Sequence, residues 1–171
     1  YTRCTPRSAR NFRWGMNEMR SIDVAVVGAG VVGLAAALGL AQQGFKVALI
    51  GPRVRVHEPT AGAPFDTRIY AVAPATVALL EQLAVWKRVD AARTNAILTM
   101  RVFGDRGDAL TFDAYSAAVE RLATIVEESE LLRVLDTACD FQPGIQRLAA
   151  EFETLGDGAD GISVRLSGGD E

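Results

Sequence analysis

At 171 residues the chain is long enough for one domain with a buried core. Hydrophobic residues make up 49% and charged residues 23%, an ordinary globular composition, and a net charge of −3 leaves no basic footprint for nucleic acid. The two cysteines, Cys4 and Cys139, make neither a disulfide framework nor a metal spacing, and the one histidine, His57, excludes a histidine-based metal cluster.

Residues 1–20 hold Arg3, Arg7, Arg10, Arg13 and Arg20 against Glu18 alone, a net of +4 that leaves −7 for the remainder. Without apolar periodicity, this basic tail reads as disordered. Two origins fit it: an Arg-rich, acid-poor mitochondrial transit peptide, or translated upstream sequence ahead of a start at Met16 or Met19. The second is favoured, because Met19 stands just before the first strand-like run.

That run opens the stretch around which the chain is organised, Ile22 to Pro52. Val24 to Val27 is β-branched and is stopped by Gly28; Leu34 to Gln43 is rich in Ala and Leu and reads as a helix closed by Gly44; Val47 to Ile50 is a second short apolar run. Strand, glycine turn, helix and strand, with glycines at 28, 30 and 33, make the opening of a dinucleotide-binding βαβ unit. Gly28 lets the chain turn off the strand, Gly30 lets a pyrophosphate approach the backbone, and Gly33 lets the helix pack close to the strand. The N–H groups and positive dipole end of that helix face the phosphates. A plain buried βα unit and, since residues 24–45 carry no charge, a membrane span are the other readings.

An acid normally ends the second strand and binds a ribose hydroxyl; here the position is Gly51. An acid restored there is expected to add a hydrogen bond to the ribose. Arg53 and Arg55 follow, and read either as a solvated basic turn or as a site for the 2′-phosphate of NADP. His57 reads as a solvated loop residue.

Pro74 opens a helix with Val77, Leu80 and Leu83 on its apolar face, Leu79 beside them, and Trp86 ending it as a core anchor. Ile97 to Phe103 reads as a strand, Gly104 to Gly107 as a turn and Ala109 to Phe112 as the antiparallel partner. Ala123 to Val126 is strand-like. Ser129 is placed to cap a helix with Glu130 at its positive end and Leu131, Leu132, Leu135 and Cys139 on its buried stripe. After Pro143-Gly144, Ile145 to Leu155 and Ile162 to Leu166 read as strands joined by a turn at Gly156 to Gly161.

This order of pieces resembles the flavin-dependent aromatic hydroxylases, and within them the ubiquinone-biosynthesis hydroxylase family. Three stretches carry the resemblance: the Gly28-Ala-Gly30-Val-Val-Gly33 loop; Asp66-Thr-Arg68-Ile-Tyr-Ala71 followed by Leu79-Leu80-Glu-Gln-Leu-Ala-Val-Trp86; and Ile125-Val126-Glu127-Glu128 before a Leu-rich helix. The resemblance implies an α/β fold, a Rossmann-like FAD/NAD(P)-binding domain with an added antiparallel β-sheet portion. It implies an FAD-dependent monooxygenase that hydroxylates an aromatic, polyprenylated ubiquinone precursor with NADPH as transient reductant and O₂. Gly28, Ala29, Gly30, Val32 and Gly33 become the cofactor loop, Arg68 a cation that approaches FAD across the crevice, and Glu127 a neighbour of the ribityl chain, with Glu128 beside it. Arg68 as a structural partner of Asp66, and the two glutamates as an exposed acidic helix start, stay open beside those roles. Gly51 and Glu128 depart from the family pattern, which has an acid and an Asn there. The cofactor carries the chemistry, so no catalytic acid, base or nucleophile is assigned.

The chain starts at Tyr1 and stops at Ser-Gly-Gly-Asp-Glu, so the expected organisation is a tail over 1–20 and, over 21–171, the N-terminal part of an FAD-binding domain, inactive by itself. The expected location is the cytoplasm, peripheral to the inner membrane because the substrate is lipid-like, or else the mitochondrion; the oligomeric state is open. An NADP-dependent dehydrogenase and a non-catalytic nucleotide-binding fragment are the competing functions.

Overall fold

A computed structural model describes residues 22–53, 64–158 and 161–167. The basic tail, Arg55 and His57 lie outside the described residues.

Strand β1 (Val24–Val27), helix α1 (Val31–Gln42) and strand β2 (Val47–Ile50) form the expected βαβ unit, with Val24 beside Val47 and Val27 beside Ile50 in parallel register. The helix begins earlier than its Ala/Leu composition suggests. Gly30 is its N-cap, and Val31 and Val32 join the first turn, where no preceding turn crowds a β-branched side chain. Leu34, Ala37, Leu38 and Ala41 are buried at the spacing of one helix face. Gly44 closes the helix in a left-handed conformation (φ +95°), its N–H donating to the Ala41 carbonyl. The uncharged stretch therefore divides into strand and helix, and among the described residues no helix is long and apolar enough to cross a membrane.

Strand β3 (Ile69–Val72) leads to α2 (Pro74–Gln82), which has Pro74 in its first turn. The helix stops short of Trp86. Ala84 takes a positive φ of 59° and Val85 N–H turns back to the Leu80 carbonyl, so Trp86 opens a separate short turn and packs half-buried on the core. Leu79 is on the outer side, 49% exposed.

The expected strand Ile97–Phe103 is two strands. Strand β4 (Thr94–Ile97) pairs with β7 (Ala123–Glu127), while β5 (Thr99–Phe103) pairs with β6 (Ala109–Asp113). Leu98 is the joint, its carbonyl accepting from Ala114 N–H. The order β3-β7-β4 makes an antiparallel sheet with β7 central.

Helix α3 (Glu128–Phe141) packs beside α1, and the buried Cys139 thiol, pushed up to about 11 by desolvation, donates to the Leu34 carbonyl at 3.4 Å. The expected long strand from Ile145 also divides. Strand β8 (Ile145–Leu148) pairs parallel with β2, giving the sheet order β1-β2-β8, whereas β9 (Phe152–Gly158) pairs antiparallel with β10 (Gly161–Leu166). Central in its sheet, β2 is buried along its whole length, which suits its Val-Ala-Leu-Ile sequence. Leu34, Leu38, Leu49, Leu131 and Leu135 join Val72, Leu80 and Val126 in one core; on the sheet's other face, Ala48 and Ile50 pack against Leu166.

Candidate dinucleotide-binding site

The glycine loop lies where β1 passes into α1. Gly28 holds φ +110°, and its N–H donates to the Ile50 carbonyl at 2.8 Å, which ties the loop to the end of β2. A Cβ on Gly33 would fall 1.8 Å from the Gly28 carbonyl oxygen, so the helix leans on the strand end as closely as a glycine permits. Gly30 is the opposite case: a Cβ there would meet nothing within 4 Å. No side chain caps α1 and no acid stands in its first turn, which leaves the early N–H groups and the positive helix end to an outside anion. Val32 is 82% exposed at the open side, and Ala29 is buried beneath. The arrangement fits a pyrophosphate: an uncapped helix start with open space above the one glycine a phosphate must approach.

The end of β2 explains its missing acid. Gly51 holds φ +149°, and a Cβ there would approach the Ala29 backbone nitrogen to 3.1 Å. The expectation that an acid at this position adds a ribose contact is therefore corrected: a side chain there strains the backbone and presses on the loop. Arg53 is exposed, as the solvated-turn reading expects, with 59% of its side chain accessible. It is ion-paired with Asp140 and lies 4.0 Å from Asp136, and Arg147 on β8 completes the network, 2.6 Å from Asp136 and 3.0 Å from Asp140. Of the two readings of Arg53, solvated turn and 2′-phosphate site, this exposed ion pair fits the first.

A second group of residues gathers where β3 and β7 meet. Ile69 faces Glu127, and the Glu128 N–H donates to the Arg68 carbonyl at 2.9 Å. Ser129 does not cap α3. Strand β7 runs straight into the helix with Glu127 as N-cap, so Ser129 falls within the first turn and its N–H donates to Asp66 Oδ2 at 3.2 Å. Asp66 is the cap, supplied from a distant segment; its Oδ1 accepts from Arg68 N–H at 3.0 Å. Chiefly that backbone bond, with those to Ser129, holds its carboxyl below the usual range.

Glu127 and Glu128 do different work. Glu128 is partly buried, taking Arg68 Nη1 at 2.9 Å on Oε2 and the Tyr70 hydroxyl at 2.8 Å on Oε1; the latter bond raises the Tyr70 pKa. The side chain of Arg68, 73% exposed, is thus paired with Glu128, while its backbone N–H serves Asp66. Glu127 is only 3% exposed, which rules out an exposed acidic helix start at this residue. Its Oε2 accepts from Asp66 N–H at 3.1 Å and from Arg93 Nη1 at 2.6 Å; its Oε1 is buried with no hydrogen-bond partner among the described residues. Sequence reasoning missed Arg93. The signal was the strand pairing: Thr94 faces Val126, which brings their neighbours Arg93 and Glu127 alongside as an opposite-charge cross-strand pair. Ala29, in the glycine loop, shares its buried cluster with Val72 and Val126, so both groups of residues are built on one core.

Comparison with known proteins agrees with this geometry. A family model described as FAD dependent oxidoreductase matches residues 23–65. The chain is 33% identical over 155 residues to 3-demethoxyubiquinol 3-hydroxylase of Escherichia coli, covering 86% of this chain and 38% of that protein. It is 26% identical over 132 residues to the mitochondrial ubiquinone biosynthesis monooxygenase COQ6 of Drosophila melanogaster, covering 74% of this chain and 27% of that one. The chain thus spans well under half the length of the curated relatives it matches. In fold it matches p-nitrophenol 4-monooxygenase PnpA of Pseudomonas putida with a TM-score of 0.63 at 21% identity, over 85% of this chain and 36% of that structure. In sequence the chain is similar to ubiquinone hydroxylases, in fold to a p-nitrophenol monooxygenase, and its residues 23–65 match the FAD dependent oxidoreductase family.

Proposed function

We propose that these residues hold FAD within a monooxygenase that hydroxylates the ring of a polyprenylated ubiquinone precursor, with NADPH as reductant and O₂ as oxygen donor. The observation that carries the reading is the uncapped start of α1 beneath the open space at Gly30. Gly28, Ala29, Gly30, Val32 and Gly33 supply backbone and helix-end contacts to the pyrophosphate. Arg68, exposed and steadied by its bond to Glu128, offers a guanidinium to a cofactor acceptor. The unpartnered Oε1 of Glu127 suits a hydroxyl of the ribityl chain, because a buried carboxylate oxygen left without a donor is costly. Bound flavin supplies the redox chemistry; the protein binds it, orients it and keeps water from it. Of the Arg53/Arg55 pair that favours an NADP-dependent dehydrogenase, Arg53 is ion-paired with Asp140, which weighs against that alternative. The substrate class follows the named activities of the relatives, and a prenyl tail fits an enzyme that works in contact with a membrane surface.

The test is to express the complete reading frame containing these residues, record its absorbance spectrum, and supply NADPH, O₂ and a prenylated phenol. Flavin bands and a hydroxylated product are expected. A colourless, folded protein that takes up NADP but no FAD would overturn the reading.

A further inference from the structure

Glu127 and the segment it grips share one arginine. Arg93 reaches Glu127 Oε2 at 2.6 Å, and its guanidinium also lies 5.5 Å from the centroid of the Phe65 ring, the residue before Asp66. The same Oε2 accepts the Asp66 N–H at 3.1 Å. Arg93 and Glu127 are both well buried, with side chains 13% and 4% exposed. Two donors therefore converge on one carboxylate oxygen and leave the other, Oε1, without a partner among the described residues.

The last torsion of a glutamate is soft, so a carboxylate held at one point turns readily. Two donors on Oε2, Arg93 and the Asp66 amide, restrict that turning more than either alone and leave Oε1 as the free oxygen. We infer that Arg93 is a positioning residue: by pinning Glu127 Oε2 it presents Oε1 to the cofactor and holds the Phe65–Arg68 segment against β7, so that Arg68 is correctly offered. The role rests on the proposed reading of Glu127 and Arg68 as FAD contacts. It calls for arginine in particular, because the planar fork places its N–H groups in a fixed direction while the same plane lies against Phe65; a lysine ammonium gives charge without direction.

The test uses the complete reading frame with Arg93→Lys, which keeps the buried charge balanced, together with Glu127→Gln and the double variant. Two readouts are taken: amide exchange over residues 65–70 without FAD, and FAD affinity from flavin fluorescence. In Arg93→Lys, the Asp66 amide should exchange faster and FAD should bind about tenfold more weakly, with thermal stability close to wild type. Adding Glu127→Gln to it should weaken FAD by less than the product of the single effects, since both changes act through one carboxylate. Wild-type FAD affinity in Arg93→Lys, or independent multiplication of the two losses, would overturn the inference. Absence of FAD from the wild-type protein would overturn the functional reading itself. In that case faster exchange at Asp66 in Arg93→Lys would still support the positioning of the segment, and unchanged exchange would dismiss it.

Discussion

The βαβ unit and the β5–β6 hairpin are held in opposite ways. In the first, β2 is buried along its whole length, and Leu34, Ala37 and Leu38 are essentially inaccessible beside it. In the second, every residue of β5 is exposed, including Phe103 at 68%, and on β6 Leu110 and Phe112 are 59% and 47% exposed. The hairpin holds by its own ladder from Thr99–Asp113 to Phe103–Ala109, while the βαβ unit holds by packing. Substitutions that change volume should therefore be severe in one region and nearly silent in the other.

The largest effect is expected at Gly33. A methyl there meets the Gly28 carbonyl oxygen, a backbone atom that cannot move without opening the loop. Gly33→Ala should cost about 3 kcal/mol or more, at the upper end of overpacking, and chemical denaturation measures it. Leu135→Ala comes next. It empties a fully buried position in α3 and should cost roughly 2–5 kcal/mol by the same measurement. A loss under about 1 kcal/mol at either site would break the contrast with the hairpin.

The βαβ unit was legible because its signals are local: a β-branched run, three spaced glycines, an apolar helix face and Gly44 all act within a few residues of where they stand. What could not be read depended on distant partners. Nothing near Leu98 marks a break; the strand divides because Ile97 pairs with Ala123 and Thr99 with Asp113. Likewise Ile145–Leu148 and Phe152–Gly158 separate because one joins β2 and the other β10. In the candidate site, Arg68 and Glu127 stood out through a family pattern. Arg93 did not, since only the pairing of β4 with β7 brings it to Glu127. Ser129 had the chemistry of a cap but not the backbone position, which the direct passage of β7 into α3 denies it. Gly51 looked like a lost acid, yet its positive φ and its closeness to Ala29 require a glycine.

A smaller effect separates the Asp66 cap from both regions. Asp66→Ala should cost about 1 kcal/mol, the usual value for a lost helix cap. Because the folded-state pKa of Asp66 is lowered, its contribution is present above the ordinary carboxylate value of 3.8 and is lost as pH falls through the lower, folded-state value. The stability difference between wild type and Asp66→Ala should accordingly be constant near neutral pH and shrink below about pH 4. A difference that grows on acidification would contradict the assignment of Asp66 as the cap of α3. The smallest effect is expected in the hairpin, where Phe103→Ala should change stability by no more than about 0.5 kcal/mol; a larger loss would show that the hairpin packs against something.

Gly30 and Gly33 stand three residues apart in one loop and make the most direct test. A side chain at Gly33 strikes the fold, whereas one at Gly30 enters open space that the account assigns to a pyrophosphate. The measurement is bound flavin per folded molecule in Gly30→Val, expressed from the complete reading frame and checked for wild-type thermal stability. A folded, colourless protein is expected. A folded Gly30→Val protein that retains stoichiometric FAD would contradict it.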